Sequence, residues 1–471
     1  MPNRTYTSSM PVSAEALFAW HERPGAFERL VPPWAPVTLA SFEGIRDGQR
    51  AVLLLGKPPA RIRWVAEHAD YVAGRQFRDI QRSGPFHRWD HTHHMEPIDD
   101  NSSRLVDALR YELPLGRLGD RIGGGLIRRQ LDSQFTYRHA TTRTDLRVHQ
   151  AINPTGRSLR IAITGASGMV GRLLTAFLTT GGHQVLRLVR GRSAAPDAVF
   201  WDPDTGEIDA GKLEGLDAVV HLAGESIVAL RWTAAKRARI EQSRIRGTHL
   251  LADTLARLKA PPTAFLSASG IAIYGDRGDE ALDERTPTAD ATFLARVCAS
   301  WEGATAPATA AGIRTVLLRI GVVLTPRGGA LAQLVRPFAL GAGVQVGRSA
   351  DFMSWIAPDD LVYAIGHLVM NSALSGAVNL VGPRPVAQRD FTTTLGRVLR
   401  RPVAGRIPPA LTLSVLGQMA DETLFKSLRL APARLIDDGF IFQYPDLESA
   451  LRHQLGRFVP QQIPLSPASP S

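Results

Sequence analysis

Gly165, Gly168 and Gly171 stand three residues apart in "RIAITGASGMVGRLLTAFL", between a strand-like apolar run and a helix-like one. A G-x-x-G-x-x-G run placed in this way can cradle a pyrophosphate. The first glycine lets the chain turn, the second lets the backbone approach the anion, and the third lets the helix pack on the strand. The helix N-terminus adds unpaired N–H groups and the positive end of its dipole. A glycine-rich turn without a ligand can have the same spacing, but this one follows a strand and opens a repeated strand–helix pattern. The next strand ends "LRLVRGRS", with Arg190 and Arg192 where an NAD site would place an acid for the ribose 2′-hydroxyl. Guanidinium groups there suit a 2′-phosphate, so NADP(H) is the expected cofactor; two solvated arginines on a loop are the plainer alternative.

A second group of chemistry-bearing residues lies in "FHRWDHTHHM". On a strand, His87, Trp89, His91, His93 and Met95 share one face, because side chains alternate. His91 and His93 can chelate a metal. No third ligand is evident, so ligand-contacting or structural histidines are expected there, and a metal is not. The single cysteine, Cys298 in "FLARVCASWE", excludes an internal disulfide and a Cys-based zinc site. Nothing beside it activates a thiol: Arg296 at i−2 points away on a helix, and Ser300 and Trp301 offer no base. Arg231, Lys236, Arg239, Arg244 and Arg246 include helix-face spacings that can bind an anionic substrate or simply form a solvated face. Trp301 and Trp355 read as packing residues.

The 471 residues exceed one ordinary core and imply roughly three domains. Residues 1–153 open with a helix from Ser13 to His21, whose Ser13 can accept from first-turn amides. They pass through strand runs such as "AVLLLG" and "SRLVDALRYELP". They close on a helix from Leu126 to Gln150, free of Gly and Pro, with Ile127, Leu131 and Phe135 along one side. "INPTGRS" at 152–158 reads as a linker. From 159 to 405, "LRIAIT", "VLRLVR", "LDAVVHLAG", "TAFLSAS" and "RTVLLRIG" are separated by helix-length segments, the pattern of a doubly wound parallel α/β sheet. Residues 406–457 have helical spacing, and 458–471 read as a disordered tail.

The composition, 44% hydrophobic and 21% charged, is globular, with no apolar run that spans a bilayer. The start "MPNRTYTSSMPVSAE" lacks the apolar core of a secretory signal, so an uncleaved cytoplasmic protein is expected. The formal charge of +11 raises nucleic acid as a partner, yet 50 of the 55 basic residues are Arg, spread out and interleaved with acids. Without a Lys/Arg block or an RNP-like or zinc-finger pattern, no nucleic-acid partner is expected; arginine also serves anionic cofactors.

"ITGASGMVG", "AVVHLAGESI", "RWTAAKRARIEQSRIRGTHLL", "SASGIAIYGD", "RIGVVL", "WIAPDDLV" and "VNLVGPRPVAQRDF", in this order, resemble the atypical extended short-chain dehydrogenases of the epimerase-like family. The resemblance runs from about 159 to 457 and includes, in "PARLIDDGFIFQYPDLESAL", the small helical domain that closes this family. It implies a Rossmann fold, an NADP(H) site and an unidentified small-molecule carbonyl or alcohol substrate. It puts Gly165, Ser167, Gly168 and Met169 at the pyrophosphate and Arg190 at the adenosine ribose. Leu222, Ala223 and Gly224 would lie under the adenine and its ribose, Ser267, Ala268 and Ser269 near the nicotinamide ribose, and Gly321 and Val322 beside the nicotinamide. Where the family commonly has His in a W-I-H-x-D-D run, this chain has Ala357, which has no such role. Residues 1–153 resemble a START-like, polyketide-cyclase-like helix-grip domain, an α+β fold with a curved sheet on one long helix, through "FERLVPPW", "GPFHRWDHTHHM" and "DALRYELPLG". That likeness implies a hydrophobic ligand.

Short-chain dehydrogenases do acid–base work with Ser/Thr, Tyr and Lys, the Lys lowering the Tyr pKa. Aligning Glu302 four residues after the Lys puts Cys298 at the Lys position and Leu294 at the Tyr position, while Gly270 stands where Ser/Thr would be. All three members are missing. Tyr274 remains as an acid or a turn-anchoring tyrosine. Glu225, after "HLAG", is a general base or a helix-start carboxylate. Ser269 binds a substrate carbonyl or caps a turn. Two functions stay open: an NADP(H)-dependent epimerase-like oxidoreductase, and a non-catalytic NADP(H)-binding sensor joined to a hydrophobic-ligand domain.

Overall fold

The structure, a computed structural model, describes residues 3–229, 231–370 and 372–465. They form two compact units: the described residues of Met1–Pro154, Thr179–Gly182 and Arg452–Ser471, and those of Thr155–Leu178 and His183–Leu451.

The first unit is built on β1 (Asn3–Met10), α1 (Ala14–Glu22), α2 (Ala26–Leu30), β2 (Val37–Phe42), β3 (Arg50–Leu55), β4 (Ile62–Val72), β5 (Gln76–Ser83), β6 (Arg88–Asp99), β7 (Ser102–Glu112) and α3 (Gly116–Ile152). The seven strands pair antiparallel in the order β1-β7-β6-β5-β4-β3-β2. Alternation in β7 buries Leu105, Asp107, Leu109 and Tyr111 on one face. The Ser13 hydroxyl caps α1 by accepting from the Ala16 amide at 3.2 Å. α3 turns Leu131, Phe135, His139 and Leu146 inward, and Tyr6 stacks on Phe135 with ring centroids 4.4 Å apart. A fully buried ion pair, Arg29 to Asp145 at 2.7 Å, joins α2 to α3.

Two expectations change here. The long helix begins at Gly116, not Leu126, and runs through Gly123, Gly124 and Gly125. Each glycine costs a helix only about 1 kcal/mol, which a helix of 37 residues anchored by its buried face tolerates. The expected disordered tail from 458 is ordered as far as Leu465: the Thr7 amide donates to the Pro464 carbonyl at 2.6 Å, Leu465 bridges to Tyr6, and Ile463 packs by Tyr6 and Phe135. β1 is an edge strand, so its free backbone groups give the tail a partner. Residues 466–471 lie outside the described residues.

The second unit contains β8 (Arg160–Thr164), α4 (Met169–Thr180) as far as Leu178, β9 (Gln184–Val189), β10 (Ala198–Asp202), β11 (Glu207–Ile208), β12 (Ala218–His221), α5 (Ala234–Ala256), β13 (Ala264–Gly270) and α6 (Phe293–Gly303), then strands Arg314–Ile320 and Gly376–Leu380. The sheet order is β11-β10-β9-β8-β12-β13, then the two later strands, all parallel except β11. Every residue of β12 is buried, as a strand covered on both faces requires. This is the expected doubly wound α/β architecture. Helices Pro409–Leu416, Gln418–Thr423, Ala433–Asp437 and Leu447–Leu455 follow it. Among the described residues no helix is long and apolar enough to cross a membrane.

Candidate functional site

The strand order reverses between β8 and β12. In such sheets the crevice beyond the carboxyl ends at this reversal is where nucleotides bind. Thr164 and His221 end the two strands opposite each other. The Thr164 hydroxyl oxygen accepts from the amides of Leu222 (3.0 Å) and Ala223 (3.1 Å) and lies 2.7 Å from His221 Nδ1. Burial pulls the His221 pKa down to about 3. The imidazole is therefore neutral, and its Nδ1 accepts a hydrogen bond from the threonine hydroxyl.

Gly165 follows at φ +68°, where a side chain is strained, and a Cβ there would stand 2.9 Å from the Leu222 carbonyl carbon. A Cβ on Gly171 would run into the Gly165 carbonyl oxygen. One on Gly168 would meet only the Gly165 oxygen, at 3.1 Å. Ser167 and Gly168 are exposed, and the amides of the first turn of α4 come next. This open cradle fits a pyrophosphate. At the end of β9, Arg192 pairs with Glu207 at 3.2 Å and lies over the Phe200 ring, whereas the exposed Arg190 has no ion pair among the described residues. Of the two, Arg190 is the one open to a phosphate.

On the other side of the crevice Ser267 and Ala268 are buried in β13, and the Val322 amide donates to the Ser354 carbonyl at 3.0 Å. A Cβ on Gly321 would stand 2.8 Å from that same oxygen. Ser269 donates to Glu302 Oε1 at 2.8 Å, and Arg319 grips both Glu302 oxygens at 2.8 and 2.9 Å. Arg319 also donates to the Tyr274 phenol at 2.9 Å, and that phenol donates to Asn379 Oδ1 at 2.9 Å. Tyr274 is fully buried, and burial raises its pKa. Its hydroxyl is enclosed and occupied on both sides, the arrangement of an anchoring tyrosine rather than of an acid. Arg319, missing from the sequence candidates, was signalled by a charge in the middle of the apolar run "RTVLLRIG".

Glu225 pairs with Lys236 at 2.7 Å and Arg239 at 3.7 Å, and the Lys236 hydrogen bond holds its carboxyl below the usual range. That lowers its strength as a base. Arg244 Nη1 donates to the carbonyls of Glu225 and Ile240, both at 3.0 Å, and its guanidinium lies 4.9 Å from the centre of the Trp301 ring. Among the described residues it has no carboxylate partner. Trp301, read as a packing residue, also serves as a cation–π platform. Trp355 is buried and donates to the Arg384 carbonyl.

The three positions of the missing triad meet. A Cβ on Gly270 would stand 3.4 Å from Cys298 Sγ, and Leu294 and Cys298 are both buried, one turn apart on α6. Burial pushes the Cys298 thiol up to about 11. A neutral, covered thiol does not attack. At pH 8 the native protein should react with Ellman's reagent at least ~100-fold more slowly than the urea-unfolded chain; equal rates would show the thiol to be open and ionised.

In the first unit Trp89, His91, His93 and Met95 share a buried face, but His87 is exposed and precedes β6, because the bend over 84–87 delays the strand. The register sets Asp79 opposite His91 and Asp107 opposite His93. These acids were missed; their signal is an Asp on the alternating inward face of "QFRDIQ" and "SRLVDALR".

A dinucleotide-type crevice on a doubly wound sheet defines the class as a Rossmann nucleotide-binding protein. Residues 161–382 match the NAD dependent epimerase/dehydratase family, and 408–454 match a domain of unknown function, DUF1731. The chain is 38% identical to the epimerase family protein Mb2239 of Mycobacterium bovis over 63% of this chain and 98% of that protein. Among solved structures it is similar to a nucleoside-diphosphate sugar epimerase from Corynebacterium glutamicum (34% identity, 96% of this chain, 90% of that one, TM-score 0.80). It is also similar to the human epimerase family protein SDR39U1 (isoform 2), solved with NADPH (29% identity, 63% of this chain, 99% of that one, TM-score 0.58). The chain belongs to the NAD dependent epimerase/dehydratase family.

Proposed function

We propose that the Rossmann unit binds NADP(H) and acts as an epimerase-like oxidoreductase on a small carbonyl or alcohol, without a Tyr–Lys pair. The observation that carries this reading is the glycine cradle at the strand reversal, beside an exposed Arg190 that has no ion pair among the described residues. Gly165, Ser167, Gly168 and Met169 would hold the pyrophosphate, with Gly171 setting the helix behind them and Arg190 meeting the 2′-phosphate. Leu222, Ala223 and Gly224 would take the adenosine, and Ser267, Ala268, Gly321 and Val322 the nicotinamide side. When bound, NADP(H) supplies or accepts the hydride. The hydroxyl proton of Ser269 goes to Glu302, so its lone pairs remain for a substrate hydroxyl. Arg244 offers a cation close enough to act on the Cys298 thiol, where a lysine would otherwise stand. Glu225 anchors Lys236 rather than taking a proton.

A second reading, an NADP(H) sensor without turnover, is favoured by the enclosure of Tyr274, which removes the nominated acid. In both readings the first unit is a START-like helix-grip domain for a hydrophobic ligand, supported by its seven-stranded antiparallel sheet and 37-residue final helix.

Fluorescence titration tests the cofactor. Arg190→Asp should weaken NADPH about 10- to 100-fold while leaving NADH unchanged or improved, since a charge-assisted contact contributes about 1.5–3 kcal/mol. Unchanged NADPH affinity with no gain for NADH would sink the NADP assignment. The loaded protein is then offered a carbonyl panel and NADPH absorbance is followed, with Arg244→Met as control. A tight complex that never turns over would select the sensor.

A further inference from the structure

We propose that the first unit holds a divalent transition-metal ion between Asp79, His91 and His93. Among the described residues this is the single His/Cys/Asp/Glu group whose ligand atoms all converge within 4.8 Å of one another. Asp79 Oδ1 lies 3.0 Å from His91 Nδ1 and 3.3 Å from His93 Nε2. Ligand atoms held about 2.0–2.2 Å from a common ion, tetrahedrally or octahedrally, stand roughly 3–3.5 Å apart. Both Asp79 separations fall in that range, and the two imidazole nitrogens lie within 4.8 Å of each other.

The surroundings are those of a supported site. Trp89 Nε1 donates to Asp79 Oδ2 at 2.9 Å, which fixes the carboxylate and leaves Oδ1 facing the histidines. His91 Nε2 bonds Asp107 Oδ1 at 3.0 Å, and His139 bonds Asp107 Oδ2 at 2.8 Å. A carboxylate on the far nitrogen of a ligating imidazole sets its tautomer and raises its basicity. His93 Nδ1 is buried 2.7 Å from Asp107 Oδ1, so the same carboxylate braces the far nitrogen of this ring too. Its ring stacks on Phe77 at 4.2 Å, which limits its rotation. Two carboxylates enclosed together need positive charge nearby; the Arg138 guanidinium gives part of it, and a divalent ion would add to it.

Two imidazole nitrogens and one carboxylate oxygen suit Zn²⁺ or Fe²⁺ and leave coordination positions open to water or a further ligand. The geometry is common to both ions, so the test has an arm for each.

Tag-free full-length protein is stripped with chelator, reloaded with Zn²⁺, Co²⁺ or, under anaerobic conditions, Fe²⁺, passed through a desalting column and assayed by plasma mass spectrometry. One ion per chain is expected. The cobalt form should show the visible ligand-field bands of nitrogen and oxygen ligation, a readout that needs no variant. Asp79→Asn and His93→Gln should each lower retention at least tenfold, with circular dichroism confirming the fold. A wild-type protein that retains well under one ion of every kind and gives no cobalt bands would overturn the proposal. Full retention in both variants would overturn it equally, by placing the ion elsewhere. Zinc retained in preference to iron, or the reverse, names the ion.

Discussion

Gly171→Ala should raise the NADPH dissociation constant at least about 100-fold, equivalent to roughly 2.7 kcal/mol, and lower the thermal midpoint at the same time. The added Cβ meets the carbonyl oxygen of Gly165, a backbone atom that no rotamer change can move aside. Overpacking against backbone costs about 1–3 kcal/mol or more, and relief comes only by lifting α4 off β8 or unwinding the glycine turn. Either movement takes the helix amides away from the anion. Gly168→Ala supplies the contrast. Its Cβ would touch only the Gly165 oxygen at 3.1 Å, on the open side of the loop. It should melt near the wild type and still bind NADPH less well. Titration and a melt separate the two effects, and wild-type affinity in both variants would remove the loop from the cofactor site.

Glu302→Gln should lower the thermal midpoint by roughly 10 °C, in keeping with the about 3–5 kcal/mol lost when one partner of a buried ion pair is removed. The side chains of Arg319 and Glu302 are 7% and 11% exposed, so the arginine left behind has little water to turn to. Ser269 loses its anionic acceptor as well. Adding Arg319→Met should recover most of the loss, because paired removal leaves no isolated charge. Tyr274→Phe should cost less, about 1–3 kcal/mol, and leave NADPH affinity unchanged. A thermal midpoint for Glu302→Gln within a degree or two of the wild type would show that water reaches the pair.

The glycine turn between β8 and α4 was legible in the sequence because its parts are local. Gly165, Gly168 and Gly171 lie within seven residues, and the strand before them and helix after them are continuous runs. Burial on both faces makes each strand of the second unit an unbroken apolar word. The roles of Tyr274 and Ser269 were not legible. Tyr274 is closed off by Arg319 and Asn379, 45 and 105 residues away, and that enclosure depends on which strands become neighbours. Glu225 lies four residues beyond the end of β12, and the partner that weakens it as a base, Lys236, comes from α5. In the first unit, alternation put His91 and His93 on one face, while Asp79 and Asp107 joined them through strand register. Register is fixed by turns and bulges, and the three bulged pairings of this sheet are invisible in single-residue preferences. The early start of α3 was hidden for the opposite reason, since Gly123–Gly125 speak locally against a helix that long-range packing sustains.

The position of the lone sulfur has a practical consequence for measuring this molecule. Cys298 is the single cysteine of 471 residues and is buried. A cysteine introduced at an exposed position, such as Ile122 on α3, which is 78% exposed, therefore stands alone toward a maleimide dye. Fluorophores or spin labels can be placed one at a time without first deleting a native thiol, and each signal reports a single chosen point on the surface.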